Sequence, residues 1–434
     1  MTKSQKMWEK AKKLIPGGNM LLSKRSEMHL PNYWPSYFSR TSGCSVWDMD
    51  GKHYFDYYLM GVGTNLLGYS HPEVDSAVMD VIKSGNMSTL NAPEEVLLAE
   101  KLIELDPWAG MVRFARSGGE ANAIAIRIAR AASGRDGVAV CGYHGWHDWY
   151  LSANLSDDDQ LAGHLLPGLS TNGVPKSLKG NVHPFNYNDF DALEDLVATK
   201  SIGVIKMEVI RNFEPSDGFL YKVRQLASKN NIVLIFDECT SGFRECYGGL
   251  HKKYEVYPDI AVYGKTLGNG YAVSAVVGRE EVMQAAQSTF ISSTFWTERI
   301  GSAAALKTLE VMDRDKPWEH AIEVGNCVRK IWSETASVHD LKITISGLPA
   351  LSSYSINSDN SLAYKTLLTQ EFLKKGYLAG TIFYACKAHD LDKFDEYSEI
   401  LDVTFGLIAE CEQGRDIKEL LDGPICHAGF KRLN

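Results

Sequence analysis

Between about residue 110 and residue 300 the chain alternates short apolar runs with stretches of helical periodicity, and few architectures accept that pattern. Val138 to Val140, Val204 to Met207, Ile232 to Phe236 and Ile260 to Tyr263 are the strand candidates. Apolar runs of this length suit strands buried on both faces of a sheet. Helical segments between them imply βαβ units and a mostly parallel sheet flanked by helices, an α/β fold. After about residue 305 long helices begin, Ser302 to Met312 first, followed by mixed strand and helix that reads as a smaller α+β domain.

The N-terminal stretch has its own punctuation. Ile15 to Gly18 ends a helix-like segment in a turn, and Ser45 to Lys52 reads as a hairpin turning at Asp50-Gly51. His71, Pro72 and Glu73 open a helix whose Val74, Val78, Val81 and Ile82 share one face, with Gly85 closing it. The expected organisation is an N-terminal segment over 1–60 packing with the small domain, a large domain over 61–305 and a C-terminal small domain over 306–434.

A formal net charge of −9 over 434 residues argues against a nucleic-acid or anionic-membrane partner, since both call for clustered Lys and Arg. No apolar stretch approaches the roughly 20 residues that cross a bilayer. Met1 to Lys13 is polar and lysine-rich, unlike a signal peptide, so a cytoplasmic protein is expected. The eight cysteines form no CxxC pair, and no metal site is expected.

Four places carry chemistry. The run from Ile232 ends in Asp237, Glu238 and Cys239, delivering charge to the carboxyl edge of the sheet, where α/β proteins bind ligands; an aspartate there also serves as a helix cap. Asp259 to Gly270 leads a second strand into a glycine-rich turn carrying Lys265, which is either a surface lysine or a desolvated nucleophile. An amine and a carboxylate on neighbouring strand ends suit pyridoxal 5'-phosphate (PLP), which needs a Schiff-base lysine and an acid on its ring nitrogen. Ser117, Gly118 and Gly119 precede a helix-like Ala121 to Ala132, and free N–H groups at a helix start suit a phosphate. Tyr143, His144, Trp146, His147 and Trp149 follow another strand, as a ring to stack on a planar cofactor or as a core cluster.

In this order these elements resemble the class III (fold type I) PLP-dependent aminotransferases, closest to the glutamate-1-semialdehyde aminomutase branch. The resemblance rests on Ser117 to Asn122, Tyr143 to Gly145, Asp237 to Arg244 and Gly264-Lys265, and runs from about Ile15 to near residue 410. It implies a Schiff base on Lys265, which then moves protons. Asp237 would pair with the ring nitrogen, Cys239 pack beneath the ring, and Tyr143 stack above it beside His144. Ser117, Gly118 and Gly119 would hold the phosphate, although the family usually has Thr where Gly119 stands. Thr294 would reach the phosphate of the partner subunit's cofactor, making the protein a homodimer with shared sites.

The departures bear on the reaction. Where the aminomutases carry a glutamate after a Phe, Phe383 is followed by Tyr384, and Leu21 and Lys24 stand where they have Ser and Arg. The resulting expectation is an aminotransferase that moves an amino group from an amino-acid donor such as glutamate to a carbonyl acceptor, a keto- or aldehydo-sugar or related metabolite. Trp146, Trp149 and Tyr384 are candidates for the acceptor pocket, and Lys24, Arg25 and Arg211 for a donor carboxylate. The alternatives are an aminomutase and a PLP-binding protein without turnover. A dinucleotide-dependent dehydrogenase is set aside because no GxGxxG follows the early strands.

Overall fold

The computed structural model describes residues 1–157, 160–164, 167–210, 212–430 and 433. The chain forms two compact units, Met1–His71 with Pro317–Asn434, and Pro72–Lys316. In chain order the strands are β1 (Phe38–Ser42), β2 (Ser45–Asp48) and β3 (His53–Asp56), then β4 (Met111–Ala115), β5 (Gly137–Cys141), β6 (Val182–Pro184) and β7 (Ile202–Glu208). They continue with β8 (Val233–Glu238), β9 (Ile260–Tyr263), β10 (Ser274–Gly278), β11 (Ile343–Ser346), β12 (Leu351–Ile356), β13 (Tyr377–Leu378) and β14 (Ile382–Tyr384).

The first unit holds a sheet of order β1-β2-β3-β13 and an antiparallel sheet of order β11-β12-β14. Asp50 and Gly51 turn the β2–β3 hairpin, with Gly51 at φ +83°, a conformation glycine adopts at no steric cost. The helices Pro317–Val338, Ser361–Lys374 and Asp395–Glu412 close its core around Trp332, whose indole donates to the Tyr397 hydroxyl at 2.8 Å.

The second unit is built on a seven-stranded sheet of order β4-β10-β9-β8-β7-β5-β6. Pairs β5–β6, β5–β7, β7–β8 and β8–β9 are parallel, while β10 runs antiparallel to both its neighbours. Every residue of β7 and β8 is buried, which is why their sequences read as runs rather than alternations. The helix Gly118–Ser133 packs Ile124, Ala125, Ile128 and Ala129 on Val140, Val204, Ile235 and Val262, each fully buried Ile being worth about 1.5–3 kcal/mol. β4 and β10 were not among the strands expected, and the helix begins at Gly118 rather than Ala121 because Ser117 and Glu120 form a capping box. In the helix Pro72–Ser84, Val74, Val78 and Val81 are buried but Ile82 is 58% exposed, which corrects its assignment to the inner face.

β4, β5, β7, β8 and β9 all run the same way, so their carboxyl ends share one edge. The chain reverses its lateral direction around β5, with β6 on one side and β7 on the other, the switch point at which open α/β sheets bind ligands. Register sets Asp237 beside Glu208 on one side and Val262 on the other. Among the described residues no helix is long and apolar enough to cross a membrane.

Candidate active site

Asp237 is 4% exposed at the end of β8, where burial alone would favour its neutral form. Its Oδ2 accepts from Asn122 Nδ2 and His144 Nδ1, both at 2.8 Å, and its Oδ1 accepts from the Cys239 N–H at 3.1 Å. From β7 comes Lys206, fully buried, its Nζ 3.9 Å from the same Oδ2. Burial opposes ionisation, but the Lys206 charge and the His144 bond outweigh it and hold the carboxyl well below the usual carboxylate range. His144 Nε2 lies 3.1 Å from the Cys141 carbonyl oxygen; burial pushes the imidazole down, and the Asp237 bond opposes that.

Lys265 follows β9 after one extended glycine and sits at φ +44°, a left-handed conformation that costs a non-glycine residue about 1–2 kcal/mol. Its Nζ donates to Thr240 Oγ1 at 2.9 Å. Burial pushes its ammonium down and the nearby Arg244 pushes it further, while Cys239, Glu208 and Asp237 pull it back. A methyl group on Gly118 would meet Cys239 Sγ at 3.2 Å, and one on Gly264 would meet it at 3.3 Å. The two glycines thus let backbone from β4 and β9 approach the end of β8.

At the neighbouring helix start, Ser117 caps through its hydroxyl, and Glu120 Oε2 accepts from the Arg116 and Ser117 N–H groups, each at 3.0 Å. Gly118 and Gly119 form the first turn, whose N–H groups have no carbonyl four residues back to bond. Arg116 reaches along the surface to the carbonyls of Phe295, Trp296 and Glu298 at 2.8–2.9 Å, and the Trp296 indole donates to Glu120 Oε1 at 3.2 Å. That ties the exposed segment bearing Thr294 to the glycine turn.

The structure therefore gathers Asp237, His144, Cys239, Lys265 and Gly118, with Ser117, Gly119 and Tyr143 on the same edge. The Tyr143 N–H donates to Glu208 Oε2 at 3.1 Å, and its ring stays partly exposed. Thr294 is exposed and touches none of this group among the described contacts. Trp149 is buried in the core against Tyr150 rather than lining a pocket, while Trp146 is exposed and lies against His147. Tyr384, Lys24 and Arg25 belong to the other unit, and Arg211 lies outside the described residues. Sequence reasoning gave no role to Asn122, Lys206, Glu120, Arg116 or Thr240. Lys206 alone had a visible signal, a charge inside an apolar run.

Known proteins resemble this chain in sequence and in fold. The class III aminotransferase family model matches residues 29–392. The chain is 33% identical over 385 residues to the 3-aminobutyryl-CoA aminotransferase of Cloacimonas acidaminovorans, covering 86% of this chain and 88% of that protein. It is also 33% identical to the glutamate-1-semialdehyde 2,1-aminomutase of Methanothrix thermoacetophila over 362 residues, 81% of each. Among solved structures, the FumI protein of Sphingopyxis sp. MTA144 in its PLP internal aldimine form has a TM-score of 0.85 at 25% identity, covering 97% of this chain and 100% of that one. The chain belongs to the class III aminotransferases, with the fold of the type I PLP transferases, and is a PLP-dependent transaminase.

The residues fit the cofactor. Among the described residues Asp237 Oδ1 accepts a single hydrogen bond, which leaves a lone pair for a ring N–H. Lys265 stands at the next strand end, and the glycines leave a space that a Cβ on either would narrow.

Proposed function

We propose that this chain moves an amino group between two separate substrates, from an amino-acid donor, glutamate for preference, to a carbonyl acceptor. The observation that carries the reading is the placement at adjacent strand ends of a buried Asp237 and a half-buried Lys265. When bound, PLP supplies an aldehyde for amines and a conjugated ring that takes up the electron pair left by a departing proton. Lys265 Nζ would hold the cofactor and would carry the proton from the donor's carbon, a task that its lowered basicity suits. Asp237 would pair with the ring nitrogen, with Asn122 and His144 fixing the carboxylate's orientation. Cys239 and Tyr143 would hold the two faces of the ring. The Gly118 and Gly119 N–H groups, with Ser117, would take the phosphate at the positive end of the helix Gly118–Ser133.

We further propose a homodimer in which Thr294 serves the partner's phosphate. Its surroundings support a second copy: Phe290 and Phe295 are strongly exposed on the same segment, as is Leu90 near Asn86, whose carbonyl accepts from the Arg299 N–H. A cytoplasmic setting suits the eight unpaired cysteines.

Separate substrates are favoured over intramolecular transfer because Tyr384 stands where the aminomutases have a glutamate, and the 3-aminobutyryl-CoA aminotransferase likeness agrees. The acceptor is read as a keto- or aldehydo-sugar or related metabolite. Glutamate alone is expected to release one 2-oxoglutarate per site and then stall until an acceptor is added. Sustained conversion of glutamate-1-semialdehyde to 5-aminolevulinate, as fast as the best donor–acceptor pair, overturns this reading in favour of the mutase.

A further inference from the structure

Among the described residues Lys206 bears on the site through Asp237. It lies inside a strand buried along its whole length, and its register neighbours on the flanking strands are Val140 and Ile235. Among the described residues its Nζ makes no hydrogen bond, and its one ion pair is the 3.9 Å approach to Asp237 Oδ2. Burying an ammonium without hydrogen bonds is costly, and a methionine or leucine fills such a position at no electrostatic cost. The charge therefore acts on the carboxylate beside it.

We propose that Lys206 tunes Asp237: its ammonium draws proton affinity out of the carboxylate and, through it, out of the cofactor's ring nitrogen. That nitrogen then holds its proton less tightly than Asp237 alone would make it. The inference rests on the pairing of Asp237 with the ring nitrogen proposed above. The other ionisable groups nearby act differently. His144 donates directly to Asp237, and Glu208 carries the same sign as Asp237. Cys239 is a thiol whose ionisation burial opposes. Lys265 and the Arg244 Nε are directed at Thr240. Acting through Asp237 without touching substrate, Lys206 is a positioning residue.

The test loads wild type, Lys206→Met, Lys206→Gln and Asp237→Asn with PLP carrying ¹⁵N at the ring position, and follows the ¹⁵N chemical shift against pH. Lys206→Met is expected to raise the midpoint of nitrogen deprotonation by about one pH unit, a tenfold tighter hold on the proton. Lys206→Gln keeps a polar side chain without the charge and is expected to shift the midpoint the same way, so the test survives a poorly folding Met variant. Asp237→Asn is expected to lower the midpoint. Unchanged midpoints in both Lys206 variants, with a lowered one in Asp237→Asn, overturn the tuning and leave the cofactor reading intact. An unchanged midpoint in Asp237→Asn overturns the pairing and the inference with it. A wild-type nitrogen that stays fully protonated wherever the fold is intact also overturns the tuning.

Discussion

Asp237 and Glu238 are consecutive residues of one strand, both buried, and because successive side chains of a strand point to opposite faces they enter two different environments. Glu238 is saturated. Its Oε1 accepts from His251 Nδ1 at 2.7 Å and the His251 N–H at 3.0 Å, and its Oε2 accepts from the Leu250 N–H at 2.7 Å and Ser241 Oγ at 2.9 Å. Around it the Trp108 indole donates to His251 Nε2 at 3.1 Å, and the Tyr263 hydroxyl donates to Asp106 at 2.7 Å. Among the described residues Asp237 takes three donors and has a cation at 3.9 Å that makes no hydrogen bond. The difference separates two uses of a buried carboxylate. Fully bonded, it fastens the chain segment from Ser241 to His251; left one bond short, it is prepared for a group that arrives later.

Three substitutions can break or sharpen that contrast. Lys265→Ala removes the cofactor's anchor and the proton carrier together, so kcat is expected to fall by on the order of 10⁴-fold with the melting temperature nearly unchanged. Steady-state kinetics on cofactor-loaded protein, with borohydride reduction and peptide mapping, checks it; a reduced adduct on another lysine rejects the assignment. Glu238→Ala is expected to act on stability, since it strands four buried donors, at a cost of about 3–5 kcal/mol. Urea denaturation measures this. A Glu238→Ala protein as stable as wild type but inactive would reverse the roles given to the two residues.

Asp237→Asn is expected to cost about 10²-fold in kcat while leaving PLP bound. Its stability effect carries a pH signature. The folded protein holds the Asp237 carboxyl below its unfolded value, so its ionisation stabilises the fold above the unfolded pKa of about 4 and that contribution is lost as pH falls toward the depressed value. The stability gap between wild type and Asp237→Asn, followed by chemical denaturation of cofactor-free protein, is therefore expected to narrow below about pH 4. A gap that is constant from pH 7 to pH 3 shows that the Lys206 and His144 contacts do not hold Asp237 ionised.

Much of the architecture was legible because it is local. Strand-length apolar runs marked β5, β7, β8 and β9, and the residues just past their ends, His144, Asp237 and Lys265, are those that meet at the sheet edge. β4 escaped because Arg113 interrupts its apolar pattern and its residues before Ala115 are only half-buried, and β10 because it follows the glycine-rich turn without a break. Trp149 was drawn toward a pocket by its aromatic neighbours, although packing against the Gly118–Ser133 helix buries it in the core. What the sequence by itself determined is the alternation of strand and helix and the chemistry at each strand end, since both depend on near neighbours. Tertiary structure alone decided which groups surround Asp237. Asn122 lies 115 residues away and His144 lies 93, and Lys206 stands one strand over at a height set by register. Periodicity reports which face of an element is buried. Hydrogen bonds and ion pairs between elements depend on how those faces come together, and that is settled only when the sheet closes and water is excluded.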